Sequence, residues 1–304
     1  MQMNKQPLVS VVIPCYNHES FVQDSIQSVI DQTYENIELI IIDDGSKDSS
    51  VEKIQEMLTL CEKRFTRFEF RHRPNKGLSA TLNEALEWCE GEFYSAIASD
   101  DLMLKDKTDI QVNYLIKNNN CNGVFGEIEL INFAQSKIKK LKDIKKYDFN
   151  NIFLHYHNLP TATQMLRLKT IKKLGGYNDL ILLEDWYINL KLTESGETLD
   201  YIPYVLAKYR RHGNNLSSKF ELIHQGRLDI IELYRNNLLY NAAKARAYMV
   251  TANSLQLINK KKSLYYWFTA LRIAPIYFLS TDFFKYLIKS LISKKRLKNF
   301  YGEV

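Results

Sequence analysis

The chain has 304 residues, 45% of them hydrophobic and 25% charged, with a formal net charge of +6. That is too apolar for a disordered chain, and it is long enough for one large or two modest domains at roughly 100–200 residues each. The charge is unevenly spread: residues 220–304 hold 14 Lys and Arg against 5 Asp and Glu, leaving 27 against 30 in residues 1–219.

The first hundred residues alternate two periodicities. Leu8–Ile13, Glu38–Ile42 and Phe93–Ala98 are short apolar runs, the first two rich in β-branched residues, that read as strands buried on both faces. Between them, Ser20–Gln32, Ser49–Leu60 and Leu78–Cys89 carry their apolar residues at helical spacing. Phe68–His72 adds a further strand. Such alternation with short connections implies right-handed crossovers and a largely parallel sheet, whose ligands bind beyond the carboxyl ends of the strands. Further on, Lys105–Asn118 reads as a helix and Gly123–Asn132 as a strand. Lys137–Lys146, with six Lys in ten residues, reads as a basic hairpin or exposed loop. Then come Gly175-Gly176-Tyr177, a helix opened by Glu184-Asp185-Trp186, and a strand Tyr201–Tyr209 ending in Arg210-Arg211-His212. From Phe220 onward the pattern is helical, with a boundary placed near Ser218.

The segments that follow the strands are polar, and two carry paired carboxylates. Asp43-Asp44-Gly45-Ser46 can be a plain turn and helix cap, or it can offer a carboxylate to a base imide or ribose hydroxyl. In Ser99-Asp100-Asp101 two adjacent carboxylates repel, so they either diverge into solvent or share a cation; hard oxygen ligands suit magnesium or manganese. Glu184-Asp185 at a helix start satisfies the helix dipole, yet an Asp there is also placed to act as a general base toward a hydroxyl. His212 becomes a metal ligand only where the fold brings it beside Asp101. Asn75-Lys76-Gly77 is a turn, or else Lys76 or Arg73 neutralises a diphosphate.

In order and spacing these segments resemble the family-2 nucleotide-sugar glycosyltransferases of the GT-A fold. The motifs that carry the resemblance are Val9–Asn17, Glu38–Ser46, Asn75–Gly77, Ser99–Asp101, Gly175–Tyr177, Glu184–Trp186 and Tyr209–His212. The resemblance implies a Rossmann-like α/β catalytic domain over residues 1–218, with a mostly parallel central sheet flanked by helices. Its nucleotide-binding half would be about 1–104 and its acceptor half about 105–218, followed by a basic helical region, 219–304. By the same resemblance Pro14, Tyr16 and Asp44 surround the base, Asp43 supports the turn, Asn75 and Lys76 lie on the nucleotide side and Asp100 contacts ribose. Asp101 and His212 would hold Mn2+ or Mg2+. Asp185 would be the catalytic base, aided by Glu184, in a single displacement with inversion. The chain has Ser-Asp-Asp where the motif is commonly Asp-x-Asp, which leaves Asp101 in place. A UDP-sugar donor and a saccharide or lipid-linked acceptor are implied, in the synthesis of cell-surface polysaccharide. Pro160–Arg167 is expected to shape the acceptor side.

In the C-terminal region, residues 282–298 set Phe283, Phe284, Leu287, Ile288, Leu291 and Ile292 against a basic remainder. That pattern suits a helix lying on an anionic membrane surface, and it equally suits one packed on the preceding helices. Phe268–Ser280 is interrupted by Arg272 and Pro275 and falls short of the roughly 20 residues of a membrane span. The N-terminus has no apolar core of signal-peptide length, so a cytoplasmic location, peripheral to the inner face of the membrane, is expected. Cys15, Cys61, Cys89 and Cys121 show neither a CxxC pair nor zinc spacing, which leaves reduced core thiols. A nucleotidyltransferase would want a Gly-rich basic loop after the first strand, and Pro14-Cys15-Tyr16-Asn17 is not one. A silent nucleotide-sugar-binding subunit is disfavoured by Asp101 and Asp185. No nucleic-acid recognition motif accompanies the basic tail.

Overall fold

A computed structural model describes residues 6–131, 142–211, 219–256, 258–276 and 281–291. His212, the expected boundary at Ser218, the Lys137–Leu141 part of the basic segment and residues 292–304 lie outside the described residues. The N-terminal half runs β1 (Val9–Cys15), α1 (Val22–Ile30), β2 (Ile37–Asp43), α2 (Ser50–Gln55), α3 (Leu58–Arg64), β3 (Arg67–His72), α4 (Leu78–Trp88) and β4 (Phe93–Ala96). One helix expected over Ser49–Leu60 is thus two, because the chain turns at Glu56-Met57 before resuming. Next come β5 (Leu102–Met103), α5 (Lys107–Lys117), β6 (Cys121–Ile131), β7 (Lys145–Tyr147), α6 (Phe149–Phe153), β8 (Met165–Arg167), α7 (Leu168–Lys173), α8 (Glu184–Thr193) and β9 (Thr198–Arg210). The described tail is helical: α9 (Phe220–Leu233), α10 (Tyr240–Leu255), α11 (Lys260–Ile273) and α12 (Thr281–Leu291).

Among the described residues the strands form one sheet in the order β3-β2-β1-β4-β8-β6-β9-β5, with β7 on β9. The strands β3, β2, β1 and β4 are mutually parallel, and β6 runs parallel to β9; short antiparallel joins at β8 link the two groups. Both faces of β1 and β2 are covered, which is why their sequences are continuously apolar instead of alternating. The register decides function: Cys15 lies level with Asp43 and Asp43 with His72, so the segments after β1, β2 and β3 emerge on one edge. β4 ends level with Val12, and the chain beyond it delivers Asp100 and Asp101 to the same edge.

At the opposite, amino-terminal end, buried Glu38 is held in place by bonds. It accepts from Ser10 Oγ at 2.5 Å, from the backbone N–H groups of Glu90 at 2.6 Å and Gly91 at 3.0 Å, and pairs with Arg67. That buried carboxylate is structural. All four cysteines are free and buried.

The helical tail does not stand apart from the sheet. Ile230 and Ile231 of α9 and Ala243 and Ala247 of α10 share one core with Trp186, Ile188 and Leu190 of α8. A second cluster joins Ala245, Met249 and Ala252 of α10 to Trp267 and Leu271 of α11 and Tyr286 of α12. Small Ala residues along α10 let neighbouring helices approach closely on both sides. Gly226 does the same on α9, where an added Cβ would lie 3.1 Å from Leu183 Cγ. The strap that opens the Glu184-Asp185 helix is therefore clasped by the tail.

Candidate active site

A cavity of about 380 Å³ opens at the carboxyl edge of the sheet, with Pro14, Asp101, Tyr177, Tyr209, Glu184 and Asp185 among its lining. Motifs up to 195 residues apart in the chain meet there because β1, β4 and β9 end at it and α8 begins at it.

Asp101 is 2% exposed, and its Oδ1 accepts from the backbone N–H of Arg210 at 2.9 Å. Burial pushes its carboxyl up to about 7; the Arg210 contact opposes this and the Asp100 charge adds to it. Arg210 also donates from Nε to the backbone carbonyl of Asp100 at 3.0 Å, and its guanidinium lies over Phe21 at 4.6 Å. β9 thus closes over the acidic pair. A buried carboxylate that burial disfavours, on a cavity wall, is a donor that a hard divalent cation would suit. Asp101 is the one of the two expected ligands whose setting is described. Among the described residues no group of three metal-ligating side chains occurs, and His212 lies outside them.

On the same cavity, α8 starts at Glu184 with no side-chain cap. Its place is fixed by Trp186, whose Nε1–H donates to the Ile152 carbonyl at 3.1 Å and whose ring stacks on His155 at 4.2 Å. Asp185 Oδ2 accepts from Thr161 Oγ1 at 2.7 Å and Oδ1 from the Trp186 backbone N–H at 2.6 Å. Burial first, and then the neighbouring Asp185, push Glu184 up to about 8. Burial is thus the first cause that favours the neutral form of Glu184, and the adjacent Asp185 adds to it.

This has a measurable consequence for stability. An unfolded Glu titrates near 4.3, so between about pH 4.3 and 8 the folded chain binds a proton that the unfolded chain does not. The contribution of this group is full below pH 4.3 and is lost as pH rises through 8. Glu184→Gln should unfold at the same temperature as the wild type near pH 4.5 and about 3 °C or more above it at pH 8. Thermal melts at the two pH values check this, and an unchanged difference would refute the buried, protonated Glu184.

Tyr16, Asp43, Asp44, Asn75, Lys76 and Asp100, also expected from the sequence, are not among the residues lining this cavity. Tyr16 follows β1 and is 43% exposed. Asp43 accepts from the backbone N–H groups of Gly45 at 3.1 Å and Ser46 at 2.9 Å, holding the turn. Gly45 has φ +76°, and an added Cβ would fall 2.6 Å from Asn75 N, so this turn admits no side chain. Asp44 pairs with Arg73 and accepts from Lys76 N at 2.8 Å and Gly77 N at 3.0 Å. Both of its oxygens are thus engaged by the 73–77 turn, a use its sequence context did not announce. Asn75 and Lys76 are exposed, and Lys76 lines a second groove of about 910 Å³ with Arg71, His72 and Arg73. Asp100 is buried beside Asp101. Tyr177 is positioned by Asn83, which accepts from its N–H and donates to its carbonyl, both at 2.8 Å.

Three residues of this site were not singled out from the sequence. Arg210 lay within a recognised motif, but its grip on Asp100 and Asp101 depends on a strand pairing. Thr161 fell in a segment expected to shape the acceptor side without a role of its own. Arg227, in α9, is pulled down to about 10 by burial while the Asp185 charge opposes that, so the tail brings a cation within electrostatic reach of Asp185. No local pattern signals any of these contacts.

Residues 10–175 match the model of the family described as glycosyl transferase family 2. An uncharacterized glycosyltransferase of Haemophilus influenzae is 30% identical over 267 residues, which cover 84% of this chain and 81% of that protein. An Escherichia coli protein described as UDP-Glc:alpha-D-GlcNAc-diphosphoundecaprenol beta-1,3-glucosyltransferase WfgD is 29% identical over 212 residues, 69% of this chain and 80% of that one. The chain spans 36% and 18% of two longer uncharacterized relatives from Rickettsia. Among solved structures, residues 1–349 of S. aureus TarS in complex with UDP-GlcNAc share the fold, with a TM-score of 0.62 at 17% identity, over 93% of this chain and 90% of that one. With the mixed α/β sheet and the ordered motifs already in place, the matched model and the Haemophilus relative establish that this chain belongs to glycosyltransferase family 2.

Proposed function

We propose that the chain is an inverting transferase that moves a hexosyl or N-acetylhexosaminyl group from a UDP-sugar to a hydroxyl of a saccharide or lipid-linked saccharide, in cell-surface polysaccharide synthesis. The observation that carries this reading is one cavity lined both by Asp101 and by the Glu184–Asp185 pair. The UDP-GlcNAc complex of TarS and the diphosphoundecaprenol acceptor in the name of WfgD support the choice of donor and acceptor classes.

Pro14, Tyr16 and the turn built on Asp43 and Asp44 receive the nucleotide, with Asn75, Lys76 and Asp100 along its path. Asp101, with His212, would hold Mn2+ or Mg2+, whose chemistry there is to offset charge developing on the nucleoside diphosphate. Asp185 removes the acceptor hydroxyl's proton as that oxygen bonds to the anomeric carbon and the sugar's bond to the diphosphate breaks. Thr161 and the Trp186 backbone N–H hold the carboxylate in orientation. Neutral Glu184 spares the site a second adjacent negative charge and can donate a hydrogen bond to an acceptor oxygen. One displacement inverts the anomeric centre, and no covalent enzyme intermediate forms. We place the catalytic unit at 1–218 and the helical region at 219–304, with α9 and α10 completing the acceptor side.

A panel of UDP-linked glucose, galactose and their N-acetylated forms, assayed for cation-dependent hydrolysis, tests this reading. Release of UDP from at least one sugar is expected. No hydrolysis and no binding of any of them would sink it.

A further inference from the structure

Packing uses only part of the apolar pattern near the end of the chain. Trp267 and Leu271 of α11 and Tyr286 of α12 join α10 in one apolar cluster. Lys260 Nζ donates to the Ser290 carbonyl at 2.8 Å, Ser263 and Tyr286 share a hydrogen bond at 2.7 Å, and Trp267 stacks on Phe283, so α11 and α12 run antiparallel. Outside that packing, Tyr265, Phe268, Ile276, Phe284 and Ile288 are each more than half exposed. Helical spacing aligns Tyr265 with Phe268 on α11 and Phe284 with Ile288 on α12. Neighbouring rings join the two exposed stretches: Phe268 meets Trp267 at 5.1 Å, Trp267 stacks on Phe283 at 5.2 Å, and Phe283 meets Phe284 at 5.3 Å.

The charges around this surface are nearly all of one sign. From Lys260 to Leu291 the sequence holds six Lys and Arg against a single acid, Asp282. Two of the six are engaged within the helical region, Lys262 with Glu221 of α9 and Lys260 with Ser290. Lys261 and Arg272 are exposed one turn before Tyr265 and one turn after Phe268, and exposed Lys285 lies between Phe284 and Ile288. An exposed apolar patch marks a contact surface, and the cations decide what can cover it. A second copy of the chain, docked through the same face, would set like charges opposite each other. An anionic lipid surface suits both parts, with apolar side chains in the headgroup boundary and cations among the phosphates. No helix among the described residues is long and apolar enough to cross a membrane; α11 and α12 each turn a short apolar stripe outward, the pattern of helices that lie on a bilayer.

We propose that α11 and α12 form a docking surface for an anionic lipid bilayer, with Phe268, Phe284 and Ile288 seated in the headgroup boundary and Lys261, Arg272 and Lys285 against lipid phosphates. The inference goes beyond the transferase reading and does not require it. Together with that reading, it keeps the enzyme on the surface in which a lipid-linked acceptor would be held. Salt screens the attraction of the cations and leaves the apolar insertion in place, so the two parts of the binding can be measured separately.

The test is co-sedimentation of the full chain with vesicles of equal parts phosphatidylglycerol and phosphatidylcholine, set against vesicles of phosphatidylcholine alone. Saturable binding to the anionic vesicles is expected, about tenfold or more tighter than to the neutral ones, and weakened about tenfold between roughly 0.05 and 0.5 M salt. Joint replacement Phe284→Ser and Ile288→Ser should lower that affinity about tenfold or more, and Lys261→Gln with Lys285→Gln should do the same at low salt. Circular dichroism and thermal melts verify the fold of both variants; if the serine variant fails to fold, Phe268→Ser and the glutamine variant carry the comparison. No binding by the wild type, equal binding to the two kinds of vesicle, or unchanged binding by the variants would overturn the docking surface. So would a wild-type dimer that the serine replacements convert to a monomer while vesicle binding stays unchanged, since a second copy would then cover the face. Hydrolysis of UDP-sugars reads the transferase assignment separately: vesicle binding without hydrolysis sinks that reading alone, and hydrolysis without vesicle binding sinks the docking surface alone.

Discussion

Asp185→Asn is expected to lower sugar transfer by about 10³-fold or more while donor affinity stays within about threefold of the wild type. The amide keeps the shape of the carboxylate and an oxygen to accept from the Trp186 backbone N–H, and the Thr161 hydroxyl can rotate to accept from its NH2 group. What it cannot do is take a proton. The substitution also removes one of the two causes that push Glu184 up, so its proton is released at lower pH in the variant. Single-turnover transfer and calorimetric UDP titration separate the two effects. Turnover equal to the wild type would remove Asp185 from the role of base, and equal losses in transfer and UDP binding would make it a structural residue of the pocket.

The second large effect belongs to Asp101. Asp101→Ala is expected to weaken cation-dependent donor binding by about 10–100-fold, the equivalent of losing one charge-assisted contact. Because Asp101 also accepts from the Arg210 backbone N–H, alanine alone could loosen the end of β9. Asp101→Asn keeps an acceptor for that N–H while removing the charge, so a similar loss in both variants assigns the effect to the ion. UDP titrations with and without Mn2+ make the measurement. A donor affinity that ignores Mn2+ in the wild type, or retains its Mn2+ dependence in both variants, would refute the ligand role of Asp101.

Much of the sheet's carboxyl edge was legible in the sequence because its signals are local. A β-branched run buried on both faces, a polar turn after it and an amphipathic helix return the chain to the sheet, and each unit brings its own turn to the carboxyl edge. The strands around Val9–Cys15 and Ile37–Asp43 and the turn after each could therefore be placed residue by residue. Where the reading was coarser, the cause was equally physical. Glu56-Met57 carries neither Gly nor Pro, so nothing in Ser49–Leu60 marks the break between α2 and α3. Asp44 looks like a ligand residue in its tetrapeptide, and only the packing of the 73–77 turn against it reveals that both oxygens are engaged.

The last helix shows how a pattern can leave two fates open and the fold use both sides. In α12 Tyr286 is buried and stacks on Trp267 at 4.9 Å, with Phe283 stacked on the same ring at 5.2 Å. Phe284 and Ile288 point outward and are 55% and 60% exposed. The apolar stripe is wider than the groove it packs against, so part of it is core and part is surface.

The sequence by itself determined the family, the α/β alternation, and the order in which acidic turns arrive at one edge, because strand, turn and helix preferences are written in neighbouring residues. Tertiary structure alone decided which carboxylates line a shared cavity, that Arg210 closes over Asp100 and Asp101, and that burial favours the neutral form of Glu184. It also decided that the basic tail is no detached appendage: α9 and α10 share the core of α8 and deliver Arg227 to the neighbourhood of Asp185. Those facts depend on burial and on pairs distant in the chain, and the energy of a charge is set by what surrounds it in space and not by what adjoins it in sequence.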